Sequence, residues 1–333
     1  VALRFIDGFD HYATADLSMK WTPTGSPTIS AGNGRRGTSC LEIPIGTSSV
    51  AKTLDAQSVW ILGMALRISA APTSSQNFLD VLDVSTIQIS VEINTDLTLR
   101  VLRGTTEIGR TTAVLVTGVY TYIECSIVIN NTTGSIILRL NGVAVLTLGP
   151  LDTQQTANST ANLIRLRALG TSAFTRYDDL YICDGTGAAP HNTFLGDCRI
   201  DTLLPNSDST PQQWAPSTGT THYTLVDEAT PNTTDYVSSS TPTHRELFGM
   251  QDLTAATGTI YGAQLNLAAL KSDAGARSIK SLIKSGSSEA SSAAVALSTS
   301  QLYLLQMQVT DPATTAAWTE SGINAVTCGA EIA

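Results

Sequence analysis

The stretch Ser135–Leu148 reads S-I-I-L-R-L-N-G-V-A-V-L-T-L, and it leaves the backbone little choice. Apolar residues alternate on both sides of Asn141-Gly142, a pair that tolerates the positive φ angles of a type I′ turn. The pattern predicts a hairpin in which Ile136, Leu138 and Leu140 share a face with Val143 and Val145. The same alternation recurs at Leu3–Asp10, Val59–Ile68, Phe78–Val84, Ile87–Ile93, Leu97–Arg103, Tyr120–Ile129 and Leu163–Leu169. In the last of these, Arg165 and Arg167 alternate against Ile164 and Leu166. Half-buried strands at this density, parted by short polar turns, describe a sandwich or jelly roll.

Composition agrees. Only 14% of the residues are charged, against about a quarter in an average chain, and exposed helix faces need those charges. At 333 residues with 42% hydrophobic content, the chain suits two domains with buried cores. The pivot is Phe174–Pro205. Tyr177–Asp184 reads as a strand, Gly185, Gly187 and Pro190 break it, and Cys198–Leu204 alternates again. The expectation is therefore an all-β protein of two tandem antiparallel β-sandwich (jelly-roll) domains, residues 1–185 and 196–333, with 186–195 as linker.

The second half carries a long Ser/Thr/Pro-rich stretch, Asn206–Pro242, which Trp214, Tyr223, Tyr236 and Phe248 anchor to the domain surface. Asp252–Ala256 reads as a short helix or turn. Strands near Tyr261–Leu270 and Ser278–Lys284 flank S-D-A-G (Ser272–Gly275), read as their hairpin turn. Leu302–Val309 and Val326–Ile332 complete the set.

A net charge of −9 disfavours nucleic-acid binding, which needs clustered Lys and Arg. No apolar run approaches the ~20 residues of a membrane span, and the opening V-A-L-R-F-I-D-G-F-D shows no basic leader before an apolar block. The reading is a soluble protein. None of the five cysteines forms a C-x-x-C pair. Cys125 and Cys328 share strand parity with apolar neighbours and read as core. Cys183 and Cys198 flank the junction as reduced thiols, with a disulfide between them as the alternative.

Gly32–Gly37 (G-N-G-R-R-G) is followed by a strand-like S-C-L-E-I-P-I, so it reads as a turn and not as a phosphate loop. Asp178 and Asp179 are adjacent in a strand, which sends their side chains to opposite faces. Asp178 then shares parity with Leu180 and Ile182. A carboxylate there needs hydrogen bonds or a cation, and the candidate is a structural calcium site of Asp7, Asp10 and Asp178. The competing reading is that these carboxylates cap turns. The four histidines are scattered, without H-E-x-x-H spacing, and no G-x-S-x-G elbow occurs. Trp21, Trp60, Trp214 and Trp318 offer sugar-stacking platforms to a lectin, but packing alone would use as many. His222 and Tyr223 read as loop anchors.

R-F-I-D-G-F-D (Arg4–Asp10) and Y-D-D-L-Y-I (Tyr177–Ile182) resemble the first and last strands of concanavalin-A-like or laminin-G-like jelly rolls, which implies that fold for residues 1–185. D-D-L-Y-I-C-D-G-T-G, N-T-F-L-G-D-C-R-I-D-T-L-L-P-N, Q-W-A-P-S-T-G, H-Y-T-L-V-D-E, Y-V-S-S-S-T and D-A-G-A-R resemble structural proteins of tailed bacteriophages, of tail, minor tail or fibre type. The resemblance covers nearly the whole chain and is densest from Tyr177 to Arg277. It implies a virion component, assembled in the host cytoplasm. Its partners would be copies of itself, neighbouring virion proteins and, where it attaches, a host-surface glycan, without nucleic acid or membrane insertion. The family brings no catalytic residues, so the expectation is a chain without enzymatic activity and without a cofactor beyond the calcium weighed above. A lectin-like receptor-binding module is the alternative, and a glycan-degrading enzyme the third reading.

Overall fold

The hairpin forms where the sequence requires it. In the computed structural model, Asn141 and Gly142 take φ angles of 48° and 80°, and Leu140 pairs with Val143. A register shift then sets Leu138 opposite Leu146, and Val143 is exposed, not part of the buried face. Its strand is the edge of its sheet, where bulges are common and no further strand pairs. The structure describes residues 2–44, 46–170, 174–254 and 258–333.

Strands carry nearly all of the regular structure, 50% of the residues against 4% in helices. Two compact units divide the chain, Val1–Ile200 and Asp201–Ala333. The strands of the first are β1 (Leu3–Asp7), β2 (Thr22–Thr24), β3 (Thr28–Ser30), β4 (Cys40–Pro44), β5 (Ser49–Gln57), β6 (Val59–Ile68), β7 (Gln76–Asp83) and β8 (Thr86–Ile93). They continue with β9 (Thr98–Arg103), β10 (Thr106–Val114), β11 (Thr121–Val128), β12 (Gly134–Leu140), β13 (Val143–Leu151), β14 (Ala161–Arg167) and β15 (Phe174–Asp184). One sheet runs β13-β12-β11-β6-β15-β4-β3, with β1 also on β15, and the other runs β10-β9-β8-β7-β14-β5-β2. Their inner faces bury Trp60, Leu62, Ile89, Val91, Ile123 and Ile164. Hydrogen bonds tie sheet to sheet through the core: Trp60 Nε1 donates to the Ala161 carbonyl, and the Tyr177 hydroxyl is shared between those of Phe78 and Arg167. This is an antiparallel β-sandwich of jelly-roll character.

The alternation of β15 fails at its centre. Residues Phe174–Tyr177 pair with β4, while Leu180–Cys183 pair with β1. Between them the register against β6 slips, and Asp179 has φ of 48°. Strict alternation holds only for continuous extended backbone, so the expectation that Asp178 and Asp179 face opposite sides is corrected. Both carboxylates turn toward the gap between β1 and β4, where Arg35 reaches them.

In the second unit β16 (Pro205–Gln212), β17 (Ala215–Pro216), β18 (Val237–Ser238), β19 (Arg245–Met250), β20 (Ala263–Ala269) and β21 (Ser278–Ser285) are followed by β22 (Ser288–Ser291), β23 (Val295–Ala296), β24 (Leu302–Gln308), α1 (Glu320–Asn324) and β25 (Thr327–Ile332). The main sheet runs β16-β19-β25-β21-β22, with β23 on β21. The β20-β24 ribbon packs Leu265, Leu267 and Leu304 against sheet residues such as Ile283 and Ile279.

Three local expectations are overturned. Cys198–Leu204 is not a strand: its backbone is held down by side chains of the first unit up to Ile200. Asn206–Gln212, read as the start of the polar stretch on the domain surface, belongs to the strand Pro205–Gln212, because an edge strand needs neither an apolar face nor every N–H paired. Ser272–Gly275 is not a hairpin turn, since β20 pairs with β24 while β21 pairs with β22, β23 and β25. Of the short helix or turn read at Asp252–Ala256, residues 255 and 256 lie outside the described residues. Among those described, no helix is long and apolar enough to cross a membrane.

Candidate functional site

The two outer faces of the first sandwich are treated differently by the chain. The outer face of the β6-β15 sheet is closed by residues 194–200. Glu124, fully buried on β11, accepts from the Tyr181 hydroxyl (2.6 Å) and the Gly196 amide (2.8 Å), and the same hydroxyl accepts from the Leu195 amide. Phe194 lies against the Arg139 guanidinium at 4.0 Å. The Asp179 carboxylate takes the Ile200 amide. Arg35, from the glycine-rich turn, grips Asp197 through both terminal nitrogens at 2.5 Å and stacks on Tyr122. The stretch N-T-F-L-G-D-C-R-I is thus a strap across one sheet.

The β7-β8 sheet leaves a different surface. Strand pairing lines up Leu102, Ser90, Asp80 and Arg165 in one transverse row of its outer face. Arg100 and Glu92 pair in the next row, with Arg167 two residues along β14 from Arg165 on the same face. Asp80 is 0% exposed and anchors the group. It accepts from Arg165 Nε (2.8 Å) and Nη2 (2.6 Å), from Arg167 Nη1 (3.2 Å) and from Asn77 Nδ2 (2.7 Å). Arg100 is held by Glu92 and, at 3.4 Å, by Glu107. Beneath them the Ser90 hydroxyl, 1% exposed, has no hydrogen-bond partner among the described residues. At one end residues 152–160 fold over Gln88, whose amide bonds Thr156, Asn158 and Thr160. Beyond that the guanidinium groups form the outermost layer, with 26%, 27% and 31% of the Arg100, Arg165 and Arg167 side chains exposed. The face can offer forked, pre-positioned donors to an anion.

The alternation of Arg165 and Arg167 was legible in the sequence. Their anchor was not, because Asp80 sits 85 residues away from Arg165 and only strand pairing brings it across.

Each expected calcium ligand is met by donors of the protein. Asp7 is saturated by protein donors: the Phe9 amide and Lys20 Nζ on Oδ1, the Tyr12 hydroxyl and Trp21 Nε1 on Oδ2. Asp10 accepts from the Ser39 amide at 2.7 Å, and Asp178 from the amides of Arg35 (2.7 Å) and Asp179 (2.8 Å). Burial and the nearby charge of Asp179 push Asp178 up to about 7, and burial pushes Asp10 up to about 6. Among the described residues no group of three or more such side chains is placed to hold a metal ion. All five cysteines are free. Trp21, Trp60 and Trp318 are buried, and the half-buried Trp214 gives its N–H to the His244 carbonyl, so packing claims the aromatic platforms. His222 and Tyr223 are anchors: both amides bond Asp208, and His222 Nδ1 lies 2.7 Å from Glu246.

No family model matches the chain, and no curated protein does. Among solved structures it is similar to the cellulose induced protein Cip1, with 16% identity over 54% of this chain and 96% of that one, at a TM-score of 0.42. It is similar to the alginate lyase Aly36B, with 11% identity over 55% and 98%, at 0.40. A Trypanosoma rangeli sialidase matches with 10% identity over 46% of this chain and 26% of its own length, at 0.34. At these values the likeness concerns the fold and transfers neither substrate nor catalytic residue. The expectation of a chain without enzymatic activity is nevertheless corrected: two of these similar structures, a lyase and a sialidase, are enzymes. None of the three names is that of a virion protein.

Proposed function

We propose that the chain is a component of tailed-phage particles, and that its first unit binds an anionic glycan of the host surface across the outer face of the β7-β8 sheet. One observation carries the binding site. Arg165 and Arg167 are pre-positioned on a fully buried Asp80, beside a Ser90 hydroxyl without a partner among the described residues, on the part of the face that residues 152–160 leave open. Guanidinium pairs of this kind match carboxylates in two-pronged geometry. With the tryptophans committed to packing, charge and hydrogen bonding replace stacking as the source of affinity. The particle role is supported by the motifs of Tyr177–Arg277, and many copies on one particle would add weak single contacts by avidity.

The test uses the purified full chain against alginate, as a uronate polymer, and a neutral glucan. Saturable binding to alginate that weakens with salt, is absent for the glucan and falls at least ~10-fold in Arg167→Ala is expected. Asp80 keeps Arg165 and Asn77 in that variant, so the fold remains. Equal binding to both polymers, or an unchanged affinity in Arg167→Ala, overturns the site. Immunogold labelling of particles tests the location separately.

A further inference from the structure

Asp7 and Lys20 meet in a buried pocket lined by Phe5, Tyr12 and Trp21. Both side chains are 0% exposed, with Nζ 3.1 Å from Oδ1. The ammonium also lies 5.3 Å from the Phe5 ring centre and 5.6 Å from that of Tyr12, and Phe5 and Phe9 pack on Trp21. On its other side His11 Nε2 stands 3.1 Å from Nζ. Removing two opposite charges from water carries a large desolvation penalty that attraction only partly offsets, and one reaction would remove both charges.

We propose that this pair is a self-condensing isopeptide site, at which Lys20 Nζ and Asp7 Cγ form an amide and one water leaves. The ammonium and the carboxylate supply every atom and no electrons change hands, so no co-reactant is needed. Oδ1, 3.1 Å away, takes the first proton from Nζ, which turns the ion pair into an amine and a carboxylic acid. Burial and the adjoining Lys20 charge hold the His11 imidazole down to about 3, so its ring stays neutral and passes a proton on without keeping it. Burial likewise lowers Lys20, which favours the free amine that attacks Cγ. As the C–N bond forms, negative charge grows on Oδ2, where the Tyr12 hydroxyl and Trp21 N–H already point from 2.8 Å each. Oδ1, the oxygen nearest Lys20 and already protonated, collects the second amine proton by relay through His11 Nε2, its bond to Cγ breaks, and it departs as water. The product staples the end of β1 to the residue that closes the 3-10 turn Thr14–Met19.

Intact-mass measurement of the purified full chain under denaturing conditions tests this. The expected mass is one water below that of the sequence. Asp7 precedes Gly8, and a succinimide at that bond would lose the same water, so three readouts separate the two. The isopeptide is expected to resist hydroxylamine, to yield a branched peptide joining the segments that hold Asp7 and Lys20, and to vanish in Lys20→Met. His11→Ala, which keeps both reacting groups, is expected to slow formation at least ~10-fold. A wild-type chain at full sequence mass overturns the proposal. So does a deficit that hydroxylamine reverses or that survives Lys20→Met. Because the wild-type peptide map decides by itself, a Lys20→Met chain that fails to fold does not rescue the idea.

Discussion

Asp178 shows how a single residue escapes sequence reasoning. Its parity placed it on the apolar face; the slip at Asp179 instead turned it to the gap where Asp10 and Arg35 lie. The consequence is a titration near neutrality. Its carboxyl is raised to about 7 by burial first and Asp179 second, while in the unfolded chain it titrates near ~3.9. Between those values the folded state holds a proton that the unfolded state lacks. This contribution to stability is therefore complete below the unfolded value and lost as pH rises through about 7, at up to ~1.4 kcal/mol per pH unit. Other groups oppose it: His11 is depressed to about 3 and Lys52 to about 8. Comparing the wild type with Asp178→Asn cancels them. Urea midpoints from pH 5 to 8 are expected to fall in the wild type relative to the variant, and parallel curves would refute the raised carboxyl.

At the scale of elements, what was legible depended on whether the signal was local. The Asn141-Gly142 hairpin, the strand Val59–Ile68 and the Arg165/Arg167 alternation are written in neighbouring residues. The fate of Cys198–Leu204 is not. Its alternation imitates a strand, but Tyr181 and Glu124 claim the amides of Leu195 and Gly196 just before it and Asp179 that of Ile200 within it, all three from the sheet it crosses. The polar Pro205–Gln212 failed in the opposite sense, since edge position is a property of the assembled sheet and not of the strand. The strap also explains Gly63. The Tyr181 ring lies directly over it on β6, and a Cβ there would run into the ring. Gly63→Ala should therefore displace Tyr181, break its bond to Glu124 and release the Leu195 and Gly196 amides. The expected loss is ~2 kcal/mol in chemical denaturation, with faster hydrogen exchange at those two amides. Unchanged exchange there would show that Tyr181 does not hold the strap.

For the whole molecule, the two units differ in how their cores are built. In the first, both sheets contribute fully buried residues along their central strands, among them Trp60, Phe78 and Tyr177. In the second, every residue of β20 is only partly buried, most of β16 is exposed or partly so, and the core divides into small clusters around Ile283 and Ile279. Stability follows buried apolar area to first order, so the second unit is expected to unfold at lower denaturant. Tryptophan fluorescence separates them: Trp21 and Trp60 report on the first unit, Trp214 and Trp318 on the second. A urea titration of the full chain should show two phases. The double variant Trp214→Phe/Trp318→Phe should keep only the later one, because its remaining reporters lie in the more deeply buried core. A single transition shared by both reporter pairs would mean that the units unfold as one cooperative body, and that core depth does not set the order in which they open.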